Sequence, residues 1–309
     1  MKSHKRLSEL LIETGAYKDL DSPVILTSGE LGIYYINTEK LCQDNGEFEK
    51  YGDDSRAMIQ HAVKMTKEHP AFKEAIDIIT DNINTQTSGK GAFLISGGQR
   101  RDWLFSGPVA AKLGVPHVSL YKQIKRQQDK TELVYPQIDS VGGFNSLNGW
   151  QIIHIADLLT EASSCYRKED AIDMGWIPMI RNQQGTISKL VSIVTRLQGG
   201  EERLNEIGVE PFSFVAIDQD FIKEHSKYSF RNIAYMANPK LWSEGYLEAN
   251  GALALIKTFD PAGGKIDRAK KFLDRYGDFL AKTNKWNELD TEVNKKYNIH
   301  LGQITGDVD

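Results

Sequence analysis

The sequence predicts an α/β fold built on a doubly wound parallel sheet, with an N-terminal flap and a helical C-terminal extension. Three observations carry that expectation. Residues 152–159 form an apolar run with a single acid, Asp157, and break into Thr160-Glu161-Ala162-Ser163-Ser164. A buried parallel strand ends this way when its C-terminal edge holds a ligand. Apolar, strand-like segments alternate with helical patterns on both sides of this run, which is the signature of a parallel sheet with crossover helices. A glycine pair, Gly97-Gly98, stands between a strand pattern and a helix pattern, where bare backbone can approach an anion.

In chain order, residues 5–16 place Leu7, Leu10 and Leu11 on one helical face, with Gly15 as the stop. Residues 24–41 hold two β-prone segments around Ser28-Gly29, a hairpin-like flap. Residues 54–85 read as two helices parted near Pro70, with Phe72, Ala75, Ile76, Ile79 and Ile83 at helical spacing for packing. The first sheet strand, residues 92–95, runs into Ser96-Gly97-Gly98-Gln99-Arg100-Arg101 and a helix ending at Leu113-Gly114. A short strand at 118–120 feeds the charged run YKQIKRQQDK and a polar loop reaching Asn148. Beyond the central run, 162–174 is expected as helix and 176–180 as strand. Residues 190–194 follow as strand, then a helix stopped by Gly208, then a last strand at 213–217. Residues 218–309 put Phe272, Leu273, Tyr276, Phe279 and Leu280 on one helical face, with Trp242, Tyr246 and Trp286 as aromatic anchors.

Composition narrows the class. The 309 residues are 40% hydrophobic and 26% charged, ordinary for a globular protein. A net charge of -4 gives no electrostatic case for nucleic acid. Two cysteines, Cys42 and Cys165, make neither a disulfide framework nor a metal spacing. No apolar run approaches the ~20 residues that span a bilayer, and Ser8 and Glu9 interrupt any signal-peptide core. The expectation is a soluble, cytoplasmic protein with no membrane and no nucleic-acid partner.

The motifs resemble those of the type I phosphoribosyltransferases, whose fold is Rossmann-like. Residues 150–164, WQIIHIADLLTEASS, are similar to that family's phosphoribosyl-diphosphate (PRPP) motif of branched apolar residues, two acids and a Thr/Ser/Gly loop, with Ala156 at the first acid and Ala162 at the loop glycine. The segment VILTSGELGIYYIN resembles the flap of the orotate enzymes, keeping Leu26, Ser28, Gly29, Tyr34 and Asn37, with Tyr35 at an aromatic position and Thr27 in place of a lysine. Lys122 and Lys125 fall on two lysines of their mobile loop, while Tyr121 and Gln127 replace an arginine and a histidine. VTRLQGGEERLNEIGVEP resembles their V-D-R-x-x-G-G segment, with Thr195 at the aspartate.

The resemblance implies roles. Asp157 and Lys125 would be catalytic, with Asp157 holding metal indirectly through water or ribose. Lys122, Gly97, Gly98, Gln99, Arg100 and the stretch Thr160, Glu161, Ala162, Ser163 and Ser164 would bind PRPP. Ser28, Tyr34, Tyr35 and Arg196 would bind the base. The implied activity is orotate-type transfer of phosphoribose from PRPP to orotate or a similar nucleobase, with Mg²⁺, in a homodimer; a PRPP- or nucleotide-binding regulator or scaffold is the alternative. In physical terms, hydroxyls and free N–H groups at 160–164 suit a 5′-phosphate at a helix start. Glu161 opposes phosphate there unless it points to solvent. The absent acid at Ala156 removes one charge-assisted hydrogen bond, worth ~1.5–3 kcal/mol. His154 reads as a satisfied buried histidine rather than a replacement ligand. The expected domains are 1–90 (helix, flap and helical segment), 91–217 (phosphoribosyltransferase core) and 218–309 (helical extension).

Overall fold

The computed structural model describes residues 3–44, 46–87, 92–122, 131–135, 140–142 and 147–306, with the strands between 131 and 142 described by backbone alone. The elements in chain order are α1 (Lys5–Glu13), β1 (Tyr17–Ile25), β2 (Leu31–Ile36), α2 (Ser55–Glu68), α3 (Pro70–Thr87), β3 (Phe93–Gly98), α4 (Asp102–Leu113), β4 (His117–Leu120), β5 (Thr131–Tyr135) and β6 (Ser140–Gly142). They continue with β7 (Gln151–Leu159), β8 (Arg167–Glu169), β9 (Ile172–Met174), α5 (Trp176–Asn182), β10 (Thr186–Thr195), α6 (Gly200–Glu206) and β11 (Glu210–Ala216). The chain closes with α7 (Gln219–His225), α8 (Ser229–Ala237), α9 (Pro239–Asn250), α10 (Ile266–Lys282), α11 (Lys285–Tyr297) and α12 (Leu301–Thr305). They form two units, one of residues 1–17 and 37–221, the other of 18–36 and 222–309.

The first unit carries a seven-stranded sheet in the order β11-β10-β7-β3-β4-β5-β6. Its first five strands are parallel, and β5 and β6 add on antiparallel. The chain moves from β3 to one side as β4 and returns on the other as β7, so β3 and β7 flank a topological switch point. Strand β7 is central because both its faces are apolar: Ile152, Ile153, Ile155 and Leu159 are all buried. Helix α4 and helix α5 cover opposite faces. A Cβ at Gly97 would meet Ser106 of α4, one at Gly98 would meet Trp176 of α5, and successive strand residues point to opposite sides.

Three expectations are corrected. Residues 162–174 are not a helix; they form a turn and the β8–β9 hairpin. Its tip, Asp170-Ala171, has two consecutive positive φ values, 49° and 64°, the backbone of a tight two-residue hairpin turn. Residues 176–180 are helix α5 rather than a strand, and Pro178 is tolerated because it sits in the first turn, where its missing N–H has no helical partner. The polar loop before Asn148 contains strands β5 and β6.

The second unit joins the β1–β2 hairpin to the C-terminal helices. Its core includes Ile25 and Leu31 from the hairpin with Phe259, Phe272, Tyr276 and Leu280. Gly29, at φ 83°, lets the hairpin turn lie against α10: a Cβ there would stand 2.5 Å from the Lys271 carbonyl carbon. Buried Asp19 accepts from Ser226 Oγ at 3.0 Å, the Lys227 N–H at 2.7 Å and the Asn232 amide at 2.7 Å. Among the described residues no helix is long and apolar enough to cross a membrane.

Candidate functional site

A cavity of about 360 Å³ opens in the first unit, at the carboxyl ends of β3, β4 and β7, with Glu39 and Glu49 also in its wall. From the β3–α4 turn come Gln99, Arg100, Arg101 and Asp102; from β7 come Ala156, Asp157 and Leu158; Lys122, Ser164 and Trp176 complete the far wall. Ligands of open α/β sheets bind at such a place, outside the strands' carboxyl ends at the switch point.

Two carboxylates lie at its floor. The Asp102 side chain accepts from the Gly98 N–H at 3.0 Å and from the Asp157 N–H at 2.9 Å, tying the end of β3 to the end of β7. Asp157 accepts from the Thr38 hydroxyl at 2.8 Å. Burial and then the neighbouring Asp102 charge push Asp157 up to about 7, and Arg101 and the Thr38 hydroxyl oppose that rise. His154 stands beneath, fully buried, with Nδ1 3.0 Å from Ser96 Oγ and Nε2 3.6 Å from an Asp102 oxygen. Its Nε2 makes no hydrogen bond in this arrangement, so the expected satisfied histidine is satisfied at one nitrogen only.

Cations and anions alternate around the rim. Arg100 pairs with Glu49 at 2.8 Å and holds that carboxyl below the usual carboxylate range. Arg101 pairs with Glu39 at 3.1 Å. Lys122 is exposed, and its backbone N–H donates to Gln99 Oε1 at 2.7 Å, joining the turn after β3 to the end of β4. Gly97 and Gly98 are needed for packing: a Cβ on Gly97 would lie 2.1 Å from Ser106 Oγ, and one on Gly98 would lie 2.3 Å from the Trp176 ring.

The stretch 160–164 differs from expectation, since no helix starts there. Ala162 sits at φ 56°, a left-handed conformation that costs an alanine what a glycine is spared. Its carbonyl accepts from the Cys165 and Tyr166 N–H groups, both at 2.9 Å, so those amides are spent inside the turn. Glu161 and Ser163 are exposed, Thr160 is half-buried, and Ser164 faces the cavity.

Arg196 follows β10, half-buried, with its N–H donating to the Leu159 carbonyl at 2.9 Å. It is not among the residues lining the cavity. Ser28, Tyr34 and Tyr35 belong to the second unit, where Tyr34 is buried edge-on to Tyr235 and Tyr35 is exposed. Lys125 lies outside the described residues. Sequence reasoning missed Asp102, Thr38, Glu39 and Glu49. Only Asp102 left a signal: an acid opening a helix four residues after a Gly-Gly strand end.

No protein-family profile matches the chain. Adenine phosphoribosyltransferase from Mannheimia succiniciproducens is 29% identical over 156 residues, 47% of this chain and 77% of that protein. The Histophilus somni adenine phosphoribosyltransferase is 27% identical over 164 residues, 51% of this chain and 85% of its own. Among solved structures, orotate phosphoribosyltransferase from Aeropyrum pernix aligns with a TM-score of 0.49 at 16% identity, covering 71% of this chain and 97% of that one.

Proposed function

We propose that this chain, a relative of the type I phosphoribosyltransferases, transfers the phosphoribosyl group of PRPP to a nucleobase and releases diphosphate. The observation that carries the reading is the switch-point cavity, where the turn after β3 with its two arginines faces the acid that ends β7. A base nitrogen forms the new bond to C1′ as the C1′–O bond to diphosphate breaks, with positive charge building on the ribose ring. Asp157 stands where a carboxylate can hold ribose hydroxyls and offset that charge. Among the described residues, Arg100, Arg101 and Lys122 are the cavity-lining cations that could meet a departing diphosphate.

Mg²⁺ fits the donor set. Asp157 at the cavity floor would meet the ion indirectly, through water or the ribose, and Mg²⁺ takes few protein carboxylates when substrate phosphates supply the rest. Among the described residues no cluster of three or more His, Cys, Asp or Glu side chains could cage a metal alone. When bound, the ion would neutralise charge on the leaving diphosphate.

Orotate is the base we favour from sequence, on Arg196 and on the likeness of residues 24–37 to the orotate flap. Adenine is the second reading, favoured by the names of the curated relatives. Diphosphate release from PRPP and Mg²⁺, with adenine or orotate added separately, tests both. Release that depends on one base supports transfer and identifies the acceptor. PRPP binding with no release for any base would instead support a regulator or scaffold that has kept the site.

A further inference from the structure

We infer that Asp102, contributed by helix α4, forms with Asp157 a two-carboxylate subsite for the vicinal hydroxyls of the ribose. The inference rests on the phosphoribosyl reading above. A vicinal diol presents two adjacent O–H donors, and two adjacent carboxylates opening on one cavity are the matching acceptors. Both acids line the cavity, one from each side of the switch point. Asp102 is 9% exposed and accepts from the Gly98 and Asp157 N–H groups. A carboxylate has about four lone-pair sites, so acceptor capacity remains.

The surroundings explain why the acid comes from α4. Ala156 and Trp176 share an apolar cluster, and the Trp176 ring lies against Gly98, so the indole fills the side of the sheet onto which Ala156 faces. Asp102 instead reaches the floor from the helix start, held by two backbone donors that fix its orientation. Fully buried His154, with Nε2 3.6 Å away and without a hydrogen bond, backs the pair from below.

Calorimetry with ribose 5-phosphate and 2-deoxyribose 5-phosphate on the full chain tests the pair. Wild type should prefer the ribose compound, and Asp102→Asn should lower that preference by roughly 10- to 100-fold, the scale of one charge-assisted hydrogen bond. Asp102→Ala, which removes the charge and every acceptor, should lower the preference at least as far. A purely structural role for Asp102, tying β3 to β7, would weaken both sugars equally and leave the preference intact; that result overturns the inference. If Asp102→Asn does not fold, Asp102→Ser, which keeps an oxygen acceptor for the backbone N–H groups without the charge, carries the same comparison, and an intact preference is equally fatal. Should wild type bind neither sugar phosphate nor PRPP, the phosphoribosyl reading falls and takes this inference with it. Binding of PRPP with no preference for the 2-hydroxyl sinks the inference only.

Discussion

Arg101 Nε lies 3.1 Å from Glu39 Oε1, an ion pair between the turn after β3 and the segment after the β1–β2 hairpin, both lining the cavity. A cation proposed to meet diphosphate is therefore already matched to a carboxylate. Both side chains are partly exposed, so the pair itself is worth little, ~0.2–1 kcal/mol. Its weight falls on the ligand: a phosphate must compete with Glu39 for Arg101.

Glu39→Gln should consequently tighten diphosphate binding by about 3- to 10-fold, from freeing Arg101 and removing a like charge near the phosphates. Calorimetric titration with diphosphate at fixed ionic strength measures it. Unchanged or weaker binding would mean that Arg101 does not meet the ligand.

Asp157 sets a pH dependence of known sign. Its folded pKa of about 7 is raised from 3.8, so the folded state holds this proton more tightly than the unfolded chain does. The contribution to stability is full below about pH 4 and is lost as pH rises toward about 7. Asp157→Asn should remove that loss, and its melting temperature should gain on the wild type between pH 4 and 8. Parallel curves would contradict the raised pKa.

His117 works in the opposite direction. It is fully buried between Ser106, 2.8 Å from Nε2, and Ser119, 3.3 Å from Nδ1, and burial lowers it from 6.5 to about 3. Its neutral form contributes stability above about pH 6.5 that is lost as pH falls toward about 3. His117→Gln should flatten the acid limb of a pH–denaturation curve; an unaltered limb would place the acid sensitivity elsewhere.

Gly98→Ala tests the floor of the cavity. The new Cβ would lie 2.3 Å from the Trp176 ring, so the indole or the strand end must move, at a cost typical of overpacking, ~1–3 kcal/mol. Because the Gly98 N–H also holds Asp102, PRPP binding should weaken along with stability. Denaturant unfolding and a binding titration separate the two effects, and loss of neither would show the contact to be yielding.

The sheet was legible because its strands are long, branched and apolar: 92–95, 152–159, 190–194 and 213–217 fall on β3, β7, β10 and β11. Asp157 was legible as the lone acid ending such a strand. Residues 176–180 were misread because a short apolar run such as Trp-Ile-Pro-Met-Ile has no periodicity to separate helix from strand. The hairpin at 167–174 hid because its turn uses Asp170-Ala171, without the glycine that usually marks positive φ. Thr38, Glu39 and Glu49 come from segments before the sheet begins, and only the folded chain brings them to Asp157, Arg101 and Arg100.

Calorimetric titration of the wild type and Asp157→Asn with PRPP and Mg²⁺ tests the central claim most directly. The account predicts saturable binding by the wild type and a loss of about 10-fold or more in the variant, since one charged acceptor for the ribose is removed. Equal binding by both proteins, or none by the wild type, would contradict it.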